Sequence, residues 1–143
     1  MSVEGVPVAG FKTVGQIVAT NPLSFHAGQN GLAIAVALLS SHTAGAPVID
    51  GKGKYMGFIN EFDAMKALEA GKDLSKLIAE DLMRKDHIVV HASTTIAQAA
   101  TMMEEHRVLY LPVEKDGKVA YSVTRHDLLR AWIGLGLGMG IEP

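Results

Sequence analysis

The chain has 143 residues, a hydrophobic share of 48%, a formal net charge of −2 and no cysteine. That length suffices for one domain or two small ones with a buried core. The charge balance gives no reason to expect nucleic acid as a partner, and the lack of cysteine excludes disulfides and thiolate zinc sites. Residues 1–12 lack a signal-peptide pattern, and the apolar window Leu32–Leu39 is too short to span a bilayer. We therefore predict a cytoplasmic protein without membrane contact.

The first half of the chain is predicted to contain five elements in the order β-α-β-β-α. They are a strand at Leu23–Phe25, a helix at about Asn30–Ser41, strands at Ala46–Ile49 and Tyr55–Ile59, and a helix at about Glu61–Ala70. The run Asp50–Gly53 is typical of a tight hairpin turn, and Gly71 is well placed to end the last helix. Residues Leu32–Leu39 are apolar on every side, which predicts a helix buried all round.

The second half repeats this order. Its elements are a strand at Ile88–Val90, a helix at about Thr95–His106, strands at Leu109–Val113 and Val119–Val123, and a helix at about Arg125–Ile133. Thr95 and Gln98 have the spacing of a capping box at the start of the helix. The Asp-Gly pair within Lys115–Gly117 is a strong hairpin signal between β-rich runs.

The two halves are related by an internal repeat of 65 residues, which becomes 64 after a slip in the turn. Pro47 aligns with Pro112 before the slip and Asp63 with Asp127 after it, and apolar positions match apolar positions. One copy alone would bury too little surface, so we predict two units packed sheet to sheet about a pseudo-twofold axis. The predicted segments are an N-terminal arm (1–12), two units (13–71 and 72–133) and a glycine-rich tail (134–143).

Taken in order, these motifs resemble the cystathionine-β-synthase-type (CBS) domain family, and the tandem resembles a Bateman module. The family pattern is Val-x-x-[Ile/Leu]-[Val/Met] at the start of a unit, then an apolar helix and an apolar-Pro-Val strand, and finally Gly-apolar-apolar-[Ser/Thr]-x-x-Asp before the last helix. The resemblance covers residues from about 14 to 133. It implies an α/β (α+β) fold and a stand-alone, non-catalytic regulatory or sensor module that requires no cofactor.

The resemblance also implies the ligand. Members of this family bind adenine nucleotides or S-adenosyl compounds in clefts between paired units, so AMP, ADP, ATP or S-adenosylmethionine is the expected regulatory ligand. It further implies a homodimer and a regulated partner protein that reads the ligand state. The alternative is a protein-interaction scaffold whose clefts have lost ligand binding. We predict no catalytic residue, because the repeat occupies nearly the whole chain.

The ligand contacts that the resemblance implies lie mainly in the second unit. Thr124 and Arg125 begin a helix, whose unpaired N–H groups and partial positive charge attract phosphate. Asp127 suits the paired hydroxyls of a ribose, because an ionised carboxylate only accepts hydrogen bonds. The spacing of these residues by itself favours ordinary helix capping. The adenine is expected against His87, Ile88, Tyr110, Leu111 and Pro112.

Both units depart from the family pattern. In the first unit Asn60 replaces the usual Ser or Thr before Asp63, and Glu61 would repel a phosphate. That site is therefore expected to be empty or to prefer a nucleoside over a nucleotide. In the second unit Tyr121 stands where the family usually has Gly, and its ring is expected either to narrow the cleft or to stack on a base.

Two other arrangements of polar residues carry less weight. The histidines lack the spacing of known zinc motifs, so we predict no metal site. Ser122, His126 and Asp127 are close in sequence, but a catalytic triad also needs an elbow and an oxyanion hole, which nothing here supplies. The Gly-x-Gly spacings of the tail follow a helix instead of a strand, so they do not indicate a dinucleotide site.

Overall fold

The computed structural model describes residues 11–17, 21–86 and 88–134. Within these ranges the chain forms two three-stranded sheets and five α-helices, so the predicted mixed fold is confirmed. The tail from residue 135 onward and residues 1–10 of the predicted arm lie outside the described residues.

The first repeat contains every element predicted for it. They are β1 (Phe25–His26), α1 (Gly31–Ser40), β2 (Gly45–Ile49), β3 (Tyr55–Asn60) and α2 (Glu61–Glu69). β1 runs parallel to β2, which pairs antiparallel with β3. The first strand begins at Phe25 and not at the predicted Leu23, because the pairing with β2 starts where Phe25 meets Val48.

The segment that joins the two repeats forms two short helices, for which the sequence made no prediction. It contains a 3-10 helix at Leu74–Lys76 and α3 at Ala79–Leu82. Asp73 begins the first of these, because its carboxylate accepts hydrogen bonds from the backbone N–H and hydroxyl of Ser75. These contacts hold the pKa of Asp73 below its usual value. Asp81 accepts from the Ile78 N–H at 2.9 Å at the start of α3.

The second repeat has β4 (Val90–His91), α4 (Ile96–His106), β5 (Tyr110–Lys115), β6 (Lys118–Thr124) and α5 (Arg125–Trp132). Its sheet has the same strand order as the first. The capping box at α4 is confirmed, because Thr95 and Gln98 exchange two hydrogen bonds of 3.0 Å between side chain and backbone. A further 3-10 helix at Val14–Gln16 precedes the first repeat's strands.

Two turns confirm signals read from the sequence. Asp116 and Gly117 join β5 to β6 with φ angles of 54° and 78°, the left-handed conformation that a type I′ hairpin turn requires at both positions. Gly71 follows α2 with φ 80°, and the Lys72 N–H donates to the Ala67 carbonyl. Gly71 therefore ends α2 as predicted, since glycine adopts this conformation without a Cβ penalty.

The chain divides into two compact units. The β1–β3 unit holds residues 23–86 and 117–119; the β4–β6 unit holds 11–17, 21–22, 88–116 and 120–134. Leu74, Ala79 and Leu82 complete the core of the β1–β3 unit, while Val14 and Ile17 lie in the core of the β4–β6 unit. The segment with Leu74, Ala79 and Leu82 therefore packs in one unit although the repeat assigns it to the second copy, and the segment with Val14 and Ile17 packs in the other although the repeat assigns it to the first. The domain limits drawn from the repeat stay a prediction.

The prediction that α1 is buried on every side is wrong. Ile34 and Leu38 are buried in the core, but Leu32, Val36 and Leu39 are 48%, 52% and 67% exposed. A helix packed on one sheet buries a single stripe of its surface. No described residue covers the opposite stripe, which leaves an apolar face on this helix.

Candidate functional site

The end of β6 and the start of α5 form the corner that the sequence marks as a ligand site. We call residues 124–127 the second corner. Thr124 Oγ1 accepts from the Asp127 N–H at 3.1 Å, and Asp127 Oδ2 accepts from the Thr124 N–H at 2.8 Å. The Arg125 N–H donates to the Leu109 carbonyl at 3.3 Å, which ties the helix start to β5. The capping role of Thr124 and Asp127 is thus confirmed, and their ligand contacts stay a prediction.

The remaining predicted contacts of the second corner differ in how accessible they are. Arg125 is exposed, whereas Asp127 is only 6% exposed. Ile88 and Tyr110 are half-buried, and Pro112 is buried. The Leu111 side chain lies wholly in the core, so only its backbone could meet a ligand. His87 lies outside the described residues.

The first repeat builds the same corner from different side chains. We call residues 60–63 the first corner. Asn60 Oδ1 accepts from the Asp63 N–H at 3.0 Å, and Asp63 Oδ2 accepts from the Asn60 N–H at 2.8 Å. The Glu61 N–H donates to the Ala44 carbonyl at 2.9 Å, as Arg125 does to Leu109. Asn60 therefore caps its helix as expected, and the two corners share one backbone design.

The two corners differ in the charge of the side chain at the first helical position. The first corner presents the exposed Glu61 at the position that Arg125 holds in the second. Asp63, with a side chain only 8% exposed, lies 3.9 Å from the Nε of Arg84. A phosphate at the first corner would meet the Glu61 carboxylate, while at the second it would meet a guanidinium.

A cavity of about 230 Å³ lies beside α2 and α3 within the β1–β3 unit. Asp63, Lys66, Lys72 and Asp81 line it together with apolar residues. The sequence did not indicate this cavity. Its mixed lining of two carboxylates and two ammonium groups favours no single sign of ligand charge.

The position of Tyr121 contradicts the expectation that its ring stacks on a base. The residue is 4% exposed in the core of the β4–β6 unit, and its hydroxyl donates to the Val14 carbonyl at 2.9 Å. The Lys115 ammonium lies 5.2 Å from the ring centroid. Burial raises the pKa of Tyr121. The expectation that this ring stacks on a base is therefore wrong, because the core leaves it no exposed face.

The counterpart of Tyr121 in the first repeat is Gly57, which the structure explains by crowding. A Cβ on Gly57 would lie 2.6 Å from the Arg84 carbonyl oxygen. Phe58 next to it exchanges two backbone hydrogen bonds with Arg84, of 2.9 and 2.8 Å. The backbone at Arg84 therefore lies too close to β3 for residue 57 to carry a side chain.

Ser122, two residues before Thr124, is a buried polar residue whose burial the sequence did not indicate. It is 1% exposed, and its hydroxyl has no hydrogen-bond partner within the described residues. The available signal was a lone serine between the core residues Tyr121 and Val123.

Over residues 11–17, 21–86 and 88–134, no group of three or more His, Asp or Glu side chains could hold a metal ion. No helix in those ranges is both long and apolar enough to cross a bilayer.

Comparison with known proteins decides the family. The family profile described as CBS domain matches twice, at residues 14–70 and 79–134. The chain belongs to the CBS domain family. Hypoxic response protein 1 of Mycobacterium tuberculosis (strain H37Rv) is 30% identical over 101 residues, which cover 69% of this chain and 71% of that protein. The chain spans only 26% and 23% of two matching enzymes, a homoserine O-acetyltransferase and an L-aspartate semialdehyde sulfurtransferase.

Solved CBS structures share the fold. The CBS domain pair of protein MJ0100, in complex with 5′-methylthioadenosine and S-adenosyl-L-methionine, superposes with a TM-score of 0.72 at 26% identity over 82% of this chain and 93% of that one. CBSX2 in complex with AMP gives a TM-score of 0.71 at 25% identity, covering 85% of this chain and 96% of that one. CBS domain pairs related to this chain thus bind adenosine-containing ligands.

Proposed function

We propose that this chain is a non-catalytic regulatory CBS domain pair that binds an adenosine-containing ligand at the second corner. The observation that carries the proposal is the exposed Arg125 at the N-terminus of α5, two residues from the buried Asp127 carboxylate. A cation and a helix N-terminus favour phosphate, and a carboxylate favours ribose hydroxyls. The ligands printed for MJ0100 and CBSX2 contain adenosine, which supports the same class here.

The capping bonds of the second corner are compatible with this role. An ionised carboxylate has about four lone-pair sites, so Asp127 can serve the Thr124 N–H and a ribose hydroxyl together. The cap also fixes the carboxylate in one orientation before a ligand arrives. Arg125 favours AMP, ADP or ATP over S-adenosylmethionine, because only the nucleotides carry phosphate.

At the first corner we propose a nucleoside or no ligand. Glu61 stands at the first helical position of α2, within reach of any anion held by the start of this helix. Two carboxylates in that first turn oppose a phosphate more than the N–H groups attract it.

A protein-interaction scaffold is the second candidate. The observation that favours it is that capping alone accounts for Asn60, Asp63, Thr124 and Asp127. On that reading the corners have no ligand, and the exposed surfaces of the helices bind a protein.

We also propose a homodimer and a protein partner that reads the ligand state. The support is an apolar surface on two contacting helices of the β1–β3 unit. Its exposed members are Leu32, Val36 and Leu39 on α1 and Phe62, Met65 and Leu68 on α2. Sedimentation velocity should show a dimer for the wild type and a monomer for Val36→Glu. Thr101→Glu, at the matching exposed position of α4, is the control; a monomeric wild type would contradict the dimer.

The test of the ligand is a binding panel of adenosine, AMP, ADP, ATP and S-adenosylmethionine with guanine nucleotides as controls. A ligand at 100 times its dissociation constant should stabilise the fold by about 2.7 kcal/mol. We expect Arg125→Glu to weaken AMP binding about tenfold or more, because a charge-assisted contact is replaced by repulsion. Adenosine binding should be unchanged.

Lys118→Glu is the matched control, since it makes the same charge change at the far end of β6 from Thr124. It should leave AMP affinity as in the wild type. A flat thermal response to every adenosine compound at millimolar concentration would reject the sensor and favour the scaffold.

A further inference from the structure

Ser122 combines two properties that rarely occur together in a strand. It is 1% exposed, and its hydroxyl neither donates nor accepts a hydrogen bond within the described residues. Burying a hydroxyl without a partner destabilises the folded state, so a native protein seldom keeps one without a reason.

The side chain points to the same side of β6 as the second corner. Tyr121 and Val123 belong to the core of the β4–β6 unit. Successive residues of a strand face opposite sides, so Ser122 and Thr124 share the side away from that core. Two residues along a strand span about 7 Å, so Ser122 and Thr124 lie close together on that side.

The first repeat shows that the fold does not require serine at this position. Phe58 is the counterpart of Ser122 in β3, and both donate their backbone N–H to a neighbouring segment. Phe58 donates to the Arg84 carbonyl at 2.9 Å, and Ser122 donates to the Asn21 carbonyl at 3.0 Å. The same backbone arrangement therefore carries an apolar, half-buried side chain in the first repeat and a fully buried hydroxyl in the second.

We infer that the Ser122 hydroxyl, which faces away from the core that encloses Tyr121 and Leu111, becomes a specificity contact for the nucleoside part of the ligand when binding at the second corner uncovers it. The inference rests on the proposed function of that corner. A serine hydroxyl offers one donor and two acceptor positions, so it can pair with a ring nitrogen, an amine or a ribose hydroxyl. Arg125 then recognises the phosphate, and Ser122 recognises the nucleoside.

If Ser122 binds the nucleoside and Arg125 the phosphate, substitutions of the two residues should affect adenosine and AMP binding differently. Ser122→Ala should weaken adenosine and AMP alike, about fivefold for the loss of one neutral hydrogen bond. Arg125→Glu should weaken AMP but not adenosine. Without ligand, Ser122→Ala should melt at the wild-type temperature or above, because it removes an unpaired buried hydroxyl.

Calorimetric titration of adenosine and AMP into wild type, Ser122→Ala and Ser122→Cys, with melting curves of each, tests the inference. Ser122→Cys nearly keeps the side-chain size but bonds weakly, so it should weaken both ligands too. Ser93→Ala, at an exposed serine of the same unit, is the control. Unchanged affinities in both Ser122 variants, or a lower melting temperature for Ser122→Ala, would overturn the role of Ser122 and leave the sensor intact. A wild type that binds neither ligand would overturn the sensor itself.

Discussion

The first and second corners share one backbone arrangement but carry side chains of different chemistry. In each, a strand runs straight into a helix, an Asn or Thr caps the helix, and an Asp three residues later completes the box. The first corner then adds Glu61 and the ring of Phe58, and the second adds Arg125 and the hydroxyl of Ser122. Capping therefore preserves the same scaffold in both corners, and under the proposed function the neighbouring side chains decide which corner binds a ligand.

The largest effect should come from the residues that support the corners. Tyr121→Ala should lower the free energy of unfolding by about 3–5 kcal/mol, because it removes a buried ring and its hydrogen bond to Val14. Tyr121→Phe should cost about 1 kcal/mol. Urea unfolding of both variants measures this. Equal small losses would show that the ring does not hold the β4–β6 core.

Giving the first corner the side chains of the second tests directly whether these side chains determine AMP binding. Glu61→Arg combined with Phe58→Ser should create an AMP site in the β1–β3 unit, with a gain of about tenfold in affinity there. Calorimetric stoichiometry with AMP should rise from one site per chain toward two. If the stoichiometry stays at one, side chains outside these two positions keep the first corner closed.

Removing the caps should affect the stability of both corners alike and ligand binding at only one. Asn60→Ala and Thr124→Ala should each cost about 1 kcal/mol, since each deletes the side-chain acceptor at a helix start. Thermal melts of both variants check the stability. Only Thr124→Ala should also weaken AMP. Equal AMP affinity in the two variants would break the functional distinction between the corners.

The smallest effect concerns the start of β3. The Tyr55 hydroxyl donates to the Asp86 carbonyl at 2.7 Å, and burial followed by the charge of Asp86 raises the pKa of Tyr55 to about 12. In the unfolded chain the phenol loses its proton near pH 10. Its stabilising contribution is therefore present below about pH 10 and lost as the pH rises toward about 12.

Tyr55→Phe should remove that alkaline loss. The contribution is below about 1 kcal/mol, because part of the ring is exposed to solvent. Unfolding at about pH 9 and about pH 11 for both proteins measures it. The wild type should lose more stability between the two than the variant. Parallel losses would show that other groups, such as Tyr121, account for the whole alkaline effect.

Local signals predicted much of the fold. The Thr95–Gln98 box, the Asp116–Gly117 turn and Gly71 each depend on atoms within a few residues, so their spacing in the sequence suffices. The same holds for the caps at Thr124 and Asn60. The expected burial of α1 failed for the opposite reason, because burial depends on what lies beside a helix.

The sequence by itself determined the repeat, the order of the elements and the two capped corners, since each follows from short-range geometry and hydrophobic period. Only the tertiary structure decided that Tyr121 and Ser122 are buried and which hydrogen bonds they make. The Tyr121 hydroxyl finds its partner 107 residues away at Val14, and Ser122 is buried by chain that no local pattern reveals. Contacts between distant segments set the burial and hydrogen bonding of a side chain. These two quantities decide whether a tyrosine lies in the core or is exposed to stack on a ligand.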